Sequence, residues 1–291
     1  MTDRLSQLIK AVEESDSSRL LVQSVQNLAA ARLEGAIPTL IEALSYNNPG
    51  AAVAAVDGLI LLGDPAVPAL LELLDMHNYT ARSWAIRALA GIGDPRGLVT
   101  LIGVATADFA MSVRRAAVKG LGTMKWHWFP HELREIAQAE ALEALLFVAQ
   151  QDEEWVVRYA AVVGLQSLAI AIADIHPDWR ACIQTQFNLM SCNDESLAVR
   201  GRVWYAQKML QQHLENLKTN SHASYEHSPK YQVLTSPSQQ SPLTQNDWEV
   251  ILNNLYEIKR QERTERGYEG DPSRFQDLAA VVATASSEQN T

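Results

Sequence analysis

Apolar residues recur along most of this chain at the three-and-four spacing of helices that bury one face. Met111 to Thr123 reads MSVRRAAVKGLGT, and the same shape returns three times. The copies are TARSWAIRALAGI (Thr80 to Ile92), VVRYAAVVGLQSL (Val156 to Leu168) and AVRGRVWYAQKML (Ala198 to Leu210). A weaker early copy is GAAVAAVDGLILLG, Gly50 to Gly63. Alignment on the central apolar residue places Val56, Ile86, Val118, Val162 and Trp204 at one position. Four residues earlier stand Ala52 and then Arg82, Arg114, Arg158 and Arg200. A second set of segments precedes these: AIPTLIEAL (Ala36 to Leu44), AVPALLELL (Ala66 to Leu74), GLVTLIGVA (Gly97 to Ala105) and ALEALLFVA (Ala141 to Ala149). Each repeat is therefore expected to be a helix pair. One pair cannot cover its own apolar face, so the pairs must stack. The fold class expected is all-α, a right-handed α-solenoid of HEAT/armadillo-like helix pairs with a flexible C-terminal extension.

The joints support this division. Gly63-Asp64-Pro65 and Gly93-Asp94-Pro95 repeat one device. Glycine ends a helix, aspartate caps the next and proline fits its first turn. Polar turns (YNNPG, LDMHNYT, TADFAMS, QQDEEW and NDESL) separate the two helices of each pair. The central positions lie 30, 32, 44 and 42 residues apart. The two wide spacings imply insertions of roughly a dozen residues, as loops or extra turns. They fall at Trp126 to Glu140 and around Ala169 to Trp179. At the N-terminus, Leu5, Leu8, Ile9 and Val12 mark one helix, and Asp16 or Ser17 offers a cap for a second. Three regions result: a solenoid over 1–217, a Ser/Thr/Gln/Pro-rich linker over 218–246, and a C-terminal extension over 247–291. In the last, Trp248, Ile251, Leu252, Leu255 and Ile258 share a helix face behind Asp247. It reads as a tethered, weakly ordered appendage, or as an element that docks back or binds a partner.

Net charge is -10, which disfavours sequence-independent nucleic-acid binding. No apolar run is long enough to cross a bilayer, so no membrane insertion is expected. The only cysteines, Cys182 and Cys192, lack metal spacing, and with no signal-peptide pattern a reduced, cytoplasmic setting is expected. There is no Walker loop, GxSxG, HExxH or GxGxxG. His127 and His131 have a possible metal spacing but no visible third ligand, so no metal is expected.

An aspartate precedes the ladder arginine by six residues in Asp108/Arg114, Asp152/Arg158 and Asp194/Arg200. Arg82, Arg114, Arg158 and Arg200 are read as a structural ladder, each reaching acids or carbonyls of its own turn or of the next. The following residues are Ser83, Arg115, Tyr159 and Gly201, and one turn on come Arg87, Lys119, Val163 and Tyr205. Residues four apart share a face. The face lining the stack thus offers Arg87, Arg115 and Lys119 beside Tyr159 and Tyr205. Cations beside rings suit a flat, conjugated anion. The alternative is a solvated basic patch or a protein interface. Tyr79, Trp84, Trp126, Trp128, Phe129 and Trp155 gather at the turns and the first insertion.

Here the chain resembles a known family. AIPTLIEALSYNNPGAAVAAVDGLI, NYTARSWAIRALAGIGDPR, TADFAMSVRRAAVKGLG followed by Trp126-His127, and EEWVVRYAAVVGLQSL are similar to the F subunit of the E/F-type phycocyanobilin lyases. The resemblance covers about residues 5 to 170, weakens toward 210 and does not include the tail. It implies a cyanobacterial enzyme subunit paired with an E-type subunit. That pair would add a cysteine thiol of the apo-phycocyanin α subunit across the ethylidene double bond of phycocyanobilin. It implies no cofactor beyond the bilin, which is substrate. Arg115, with Lys119 or Arg87, would hold bilin propionates. Tyr159, Trp126 and Tyr79 would wall the chromophore. Asp108, if not committed to Arg114, would face the pyrrole N–H groups as a catalytic acid. The related phycoerythrocyanin lyase-isomerases carry Asn-His-Cys-Gln-Gly-Asn at one turn. Here that turn reads Asp75-Met76-His77-Asn78-Tyr79, so ligation without isomerisation is implied. The other reading of such a chain is a HEAT-repeat scaffold that docks phycobiliproteins without catalysis.

Overall fold

A computed structural model describes residues 2–74, 78–172, 175–223 and 243–266. Every regular element among them is helical. The chain opens with α1 (Thr2–Glu13) and α2 (Ser18–Ala30), where the Ser17 hydroxyl accepts from the Leu20 N–H as the cap. Four pairs follow: α3 (Ile37–Ala43) with α4 (Pro49–Leu62), α5 (Val67–Leu74) with α6 (Tyr79–Ile92), α7 (Leu98–Ala107) with α8 (Met111–Gly122), and α9 (His131–Gln151) with α10 (Trp155–Ala171). A fifth pair is α11 (Pro177–Asn193) with α12 (Leu197–Ala223). The second helices α2, α4, α6, α8, α10 and α12 pack on one another in order, and the first helices form the layer behind them.

The second helices run parallel, and small residues let them approach. Gly58, Gly120 and Gly164 stand two residues after the central position of their copies. A Cβ on Gly120 would lie 2.6 Å from the Cβ of Ala90, and one on Gly164 would lie 2.4 Å from the Val118 carbonyl oxygen. The central residues Val56, Ile86, Val118 and Val162 are buried as the pattern requires. Trp204 departs from it, being 63% exposed. Among the described residues no further second helix packs on α12.

The two insertions are absorbed as helix. α9 has 21 residues, and α10 and α11 have 17 each, against 10 for α7 and 12 for α8. Before α9 the chain makes a single 3-10 turn, Trp126–Trp128. Trp126 and Phe129 are buried there, His127 is exposed and Trp128 lies under the Lys125 ammonium, 3.9 Å from its ring centre.

A last helix, α13 (Gln245–Arg266), packs against α7 and the Pro95–Gly97 turn. Trp248, Ile251, Leu252 and Leu255 are buried in the main core, and the Trp248 ring meets Phe129 at 5.5 Å. The first part of the C-terminal extension therefore docks back on the solenoid. The first insertion supplies part of its seat. The linker expected over 218–246 is shorter than the composition suggested, since α12 runs on to Ala223 and α13 begins at Gln245. Positions 224–242, and the extension after 266 with the small helix expected at Phe275 to Val282, lie outside the described residues.

Candidate functional site

The ladder closes between repeats. The Arg82 guanidinium donates to Asp108 at 2.8 Å, Arg114 to both oxygens of Asp152 at 2.7 and 3.0 Å, and Arg158 to both of Asp194 at 2.8 and 3.0 Å. Each aspartate belongs to the next pair along. The same guanidiniums reach their own turn through its carbonyls: Arg114 to Asp108 and Phe109, Arg158 to Asp152 and Glu153. Both destinations open to the spacing are used, acid of the next turn and carbonyl of the same one. The aspartates also accept from N–H groups two residues on, at Ala110, Glu154 and Ser196. Arg200 ends the row. Its Nε is buried without a hydrogen-bond partner, and among the described residues no acid of a further pair meets it.

This geometry corrects the expected role of Asp108. Its carboxylate is nearly sealed, with 1% of the side chain exposed, and both oxygens are taken, by Arg82 and by the Ala110 N–H. It is a rung of the ladder, held by Arg82 rather than Arg114, and does not face an open surface. Trp126 also moves out of the site: it is 7% exposed and packs on Phe129 at 5.4 Å. Tyr79 stacks on Phe109 at 4.8 Å beside the Arg82–Asp108 rung and does not line the cleft that holds Arg115.

Arg115, Lys119 and Tyr159 do come together. They line a cleft of about 350 Å³ with Trp155, Val156 and Ala198, between α8, α10 and the start of α12. Burial, then the neighbouring charges of Arg115, Arg202 and Arg87, hold the Lys119 ammonium below its usual value. Arg87 lies over the Trp84 ring at 4.5 Å, and burial followed by the Arg115 charge lowers its pKa. Among the described residues no carboxylate pairs with Arg87, Arg115, Lys119 or Arg202. The cations repel one another with no carboxylate among them to offset it, which makes the local field positive.

Two members were not assigned to the site from sequence. Trp155, 47% exposed, forms a wall of the cleft. Arg202 stands two residues before the central position, where the two preceding copies carry Ala116 and Ala160. A charge where the two preceding copies carry alanine was the available signal. The turn at 75–77, on which the absence of isomerisation rests, lies outside the described residues. His127 and His131 are exposed, and no cluster of three metal-ligating side chains occurs among the described residues. Cys182 and Cys192 are exposed and unpaired. No single described helix is long and apolar enough to cross a membrane.

Comparison with known proteins places this geometry. The HEAT-repeat family matches residues 5–90 and 68–166. The chain is 76% identical to the phycocyanobilin lyase subunit beta of Pseudanabaena tenuis, over 97% of this chain and 98% of that one. It is 53% identical to the phycocyanin alpha phycocyanobilin lyase CpcF of Synechocystis sp., over 58% of this chain and 78% of the relative. Among solved structures, the complex of CpcE and CpcF of phycocyanin lyase from Nostoc sp. matches with a TM-score of 0.55 and 50% identity, over 60% of this chain and 98% of the matched one. About two-fifths of this chain therefore has no counterpart in the matched solved chain. The paired helices, the ladder and the sequence identity over nearly the full length lead to one assignment: the chain belongs to the HEAT-repeat family of phycocyanobilin lyase beta subunits.

Proposed function

We propose that this chain is the F-type half of a heterodimeric bilin lyase. With an E-type subunit it attaches phycocyanobilin, through a thioether, to a cysteine of the phycocyanin α subunit. The acceptor thiol adds across the bilin's ethylidene double bond. Sulfur bonds to the ethylidene carbon, and the thiol proton and the π electrons pass to the tetrapyrrole. The reverse is an elimination, hence a lyase. The bilin is the substrate, and no separate cofactor takes part. Two unpaired cysteines accord with a cytoplasmic site of action.

One observation carries the reading for this chain's part: four cations with no partner carboxylate beside exposed Trp155 and Tyr205 and half-buried Tyr159. Propionate of the bilin meets Arg115 and Lys119, supported by Arg87, while the conjugated system lies against Trp155 and Tyr159. A positive strip opposes protonation of the bilin nitrogens. With Asp108 committed to Arg82, this chain contributes binding and positioning rather than an acid. The proton donor is then the thiol itself or a group of the E-type subunit.

The test is co-production of this chain, an E-type subunit, apo-phycocyanin α and phycocyanobilin. A covalent product, fluorescent with zinc in a denaturing gel, is expected, and it should fall at least tenfold with Arg115→Ala. Pigment-free α subunit despite a stable heterodimer would instead favour a docking scaffold without catalysis.

A further inference from the structure

Arg202 lies outside the face on which the other cations were recognised and does not line their cleft, yet its guanidinium flanks Tyr159, which does. From α12 it reaches across to α10, donating one hydrogen bond to the Gln166 side chain at 2.7 Å. Its guanidinium sits 5.3 Å from the Tyr205 ring centre and 5.9 Å from that of Tyr159. Its Nη1 is buried and has no hydrogen-bond partner. A guanidinium carries five donors, and leaving one desolvated and unused is costly. Half-burial of Arg202 and the repulsion it exerts on Lys119 add to that cost. Nothing in the packing needs a charge here, since alanine serves at this position in α8 and α10. A half-buried arginine held by one hydrogen bond and flanked by two rings keeps donors that a ligand carboxylate can recruit once the guanidinium turns toward it.

The cations then fall into two groups. Arg115 and Lys119 rise from α8 on one side of Tyr159, and Arg202 comes from α12 on the other. We propose that Arg202 is the second carboxylate anchor for the tetrapyrrole: it takes one propionate while Arg115 and Lys119 take the other, with the Tyr159 ring between them under the conjugated system. This rests on the bilin-binding reading above. It adds a two-point clamp that fixes which way round the dicarboxylate lies, and hence which end meets the acceptor thiol. Gln166 positions the guanidinium and needs no contact with the ligand.

The clamp is tested by binding, without turnover. Full-length chain with its E-type subunit is titrated with phycocyanobilin, each of its two monomethyl esters and the dimethyl ester, following the change in pigment absorbance. Wild type should bind the diacid tightest and lose about ten- to hundredfold in affinity for each esterified propionate, the range for a charged hydrogen bond. Arg202→Gln should weaken the diacid by that factor and abolish discrimination against one monoester only. Arg115→Gln should abolish it against the other, and Arg202→Lys should retain part of both. If Arg202→Gln discriminates both monoesters as wild type does, the second anchor is wrong while the bilin reading stands. If wild type binds the dimethyl ester as well as the diacid, the carboxylate-binding reading itself falls. Unchanged helicity and heterodimer formation in Arg202→Gln separate either result from misfolding.

Discussion

Arg114 of one helix pair grips Asp152 of the next through two parallel hydrogen bonds, Nε to Oδ2 at 2.7 Å and Nη2 to Oδ1 at 3.0 Å. The pair is nearly shut off from solvent, with 11% and 6% of the side chains exposed. Breaking such a pair from one side strands the other charge, at a cost of about 3–5 kcal/mol. Arg114→Ala should therefore lower the denaturant midpoint severely. The double variant Arg114→Met, Asp152→Leu should recover much of the loss. Equilibrium unfolding of the three variants measures the difference. Equal loss in the single and double variants would show that the carbonyl bonds of Arg114, and not the ion pair, hold the repeats.

Acid should loosen the far end of the stack. Burial pushes Asp194 upward, but the Arg158 hydrogen bonds, the Ser196 N–H and the charges of Arg158 and Arg200 outweigh it and hold its pKa below the usual carboxylate value. A depressed carboxylate contributes stability above its unfolded pKa of about 4 and loses it as pH falls through the lower folded value. Asp194→Asn should flatten the stability curve across that acid range and leave its shape unchanged above pH ~6. Thermal melts from pH 2 to 7 read this directly.

Gly164 sets the distance between the two walls of the cleft. A Cβ there would meet the Val118 carbonyl oxygen at 2.4 Å and Leu145 Cδ2 at 2.7 Å, so α8 and α10 would have to separate. Gly164→Ala should cost about 1–3 kcal/mol, as overpacking does. It should also weaken pigment binding, because Lys119 and Tyr159 ride on those helices. Gly103→Ala is the control, since a Cβ there meets nothing within 4 Å.

Lys119 should report ligand binding by its own chemistry. Burial and the charges of Arg115, Arg202 and Arg87 favour its neutral, nucleophilic form. At mildly alkaline pH it should be acylated faster than the exposed Lys10. A bound carboxylate reverses the balance. Phycocyanobilin should slow that acylation several-fold, and its dimethyl ester much less, as followed by peptide mass spectrometry.

Truncation after Leu217 should separate stability from pigment handling. It removes Trp248, Ile251, Leu252 and Leu255 from the core and takes the Trp248 ring off Phe129. The cleft of Arg115 and Tyr159 is lined only by α8, α10 and α12. The truncated chain should melt lower and self-associate at high concentration, yet keep its affinity for the bilin. Loss of affinity in a folded, monomeric truncation would give the extension a part in binding.

The repeat register was legible because helical period and turn chemistry are local properties of the sequence. The Asp/Arg spacing announced a ladder. Whether each arginine would reach its own turn or the next depends on how tightly neighbouring pairs stack. Gly164 against Val118 brings α8 and α10 close enough for both, and it is a contact between residues 46 apart. Hence Asp108 was read as a potential acid, when its partner is Arg82 in the preceding pair. Trp126 was read as a wall because an insertion suggested a surface, but the inserted residues extend helix and meet α13 from the other end of the chain. Arg115, Lys119 and Tyr159 were found from one face of one repeating helix. Arg202, on a different face, enters only because α12 lies beside α10.

The second helices all run the same way, so their amino ends line one edge of the stack. Each end carries about half a positive charge from its aligned peptide dipoles, and dipoles set side by side in this sense repel. Asp108, Asp152 and Asp194 lie on that edge, each accepting an N–H at the start of α8, α10 or α12. The three carboxylates thus neutralise helix ends that would otherwise push neighbouring repeats apart, besides clasping the arginines. Swapping them together for asparagine would keep much of the hydrogen bonding but leave that repulsion unopposed, so the whole array should fan open rather than lose one rung at a time.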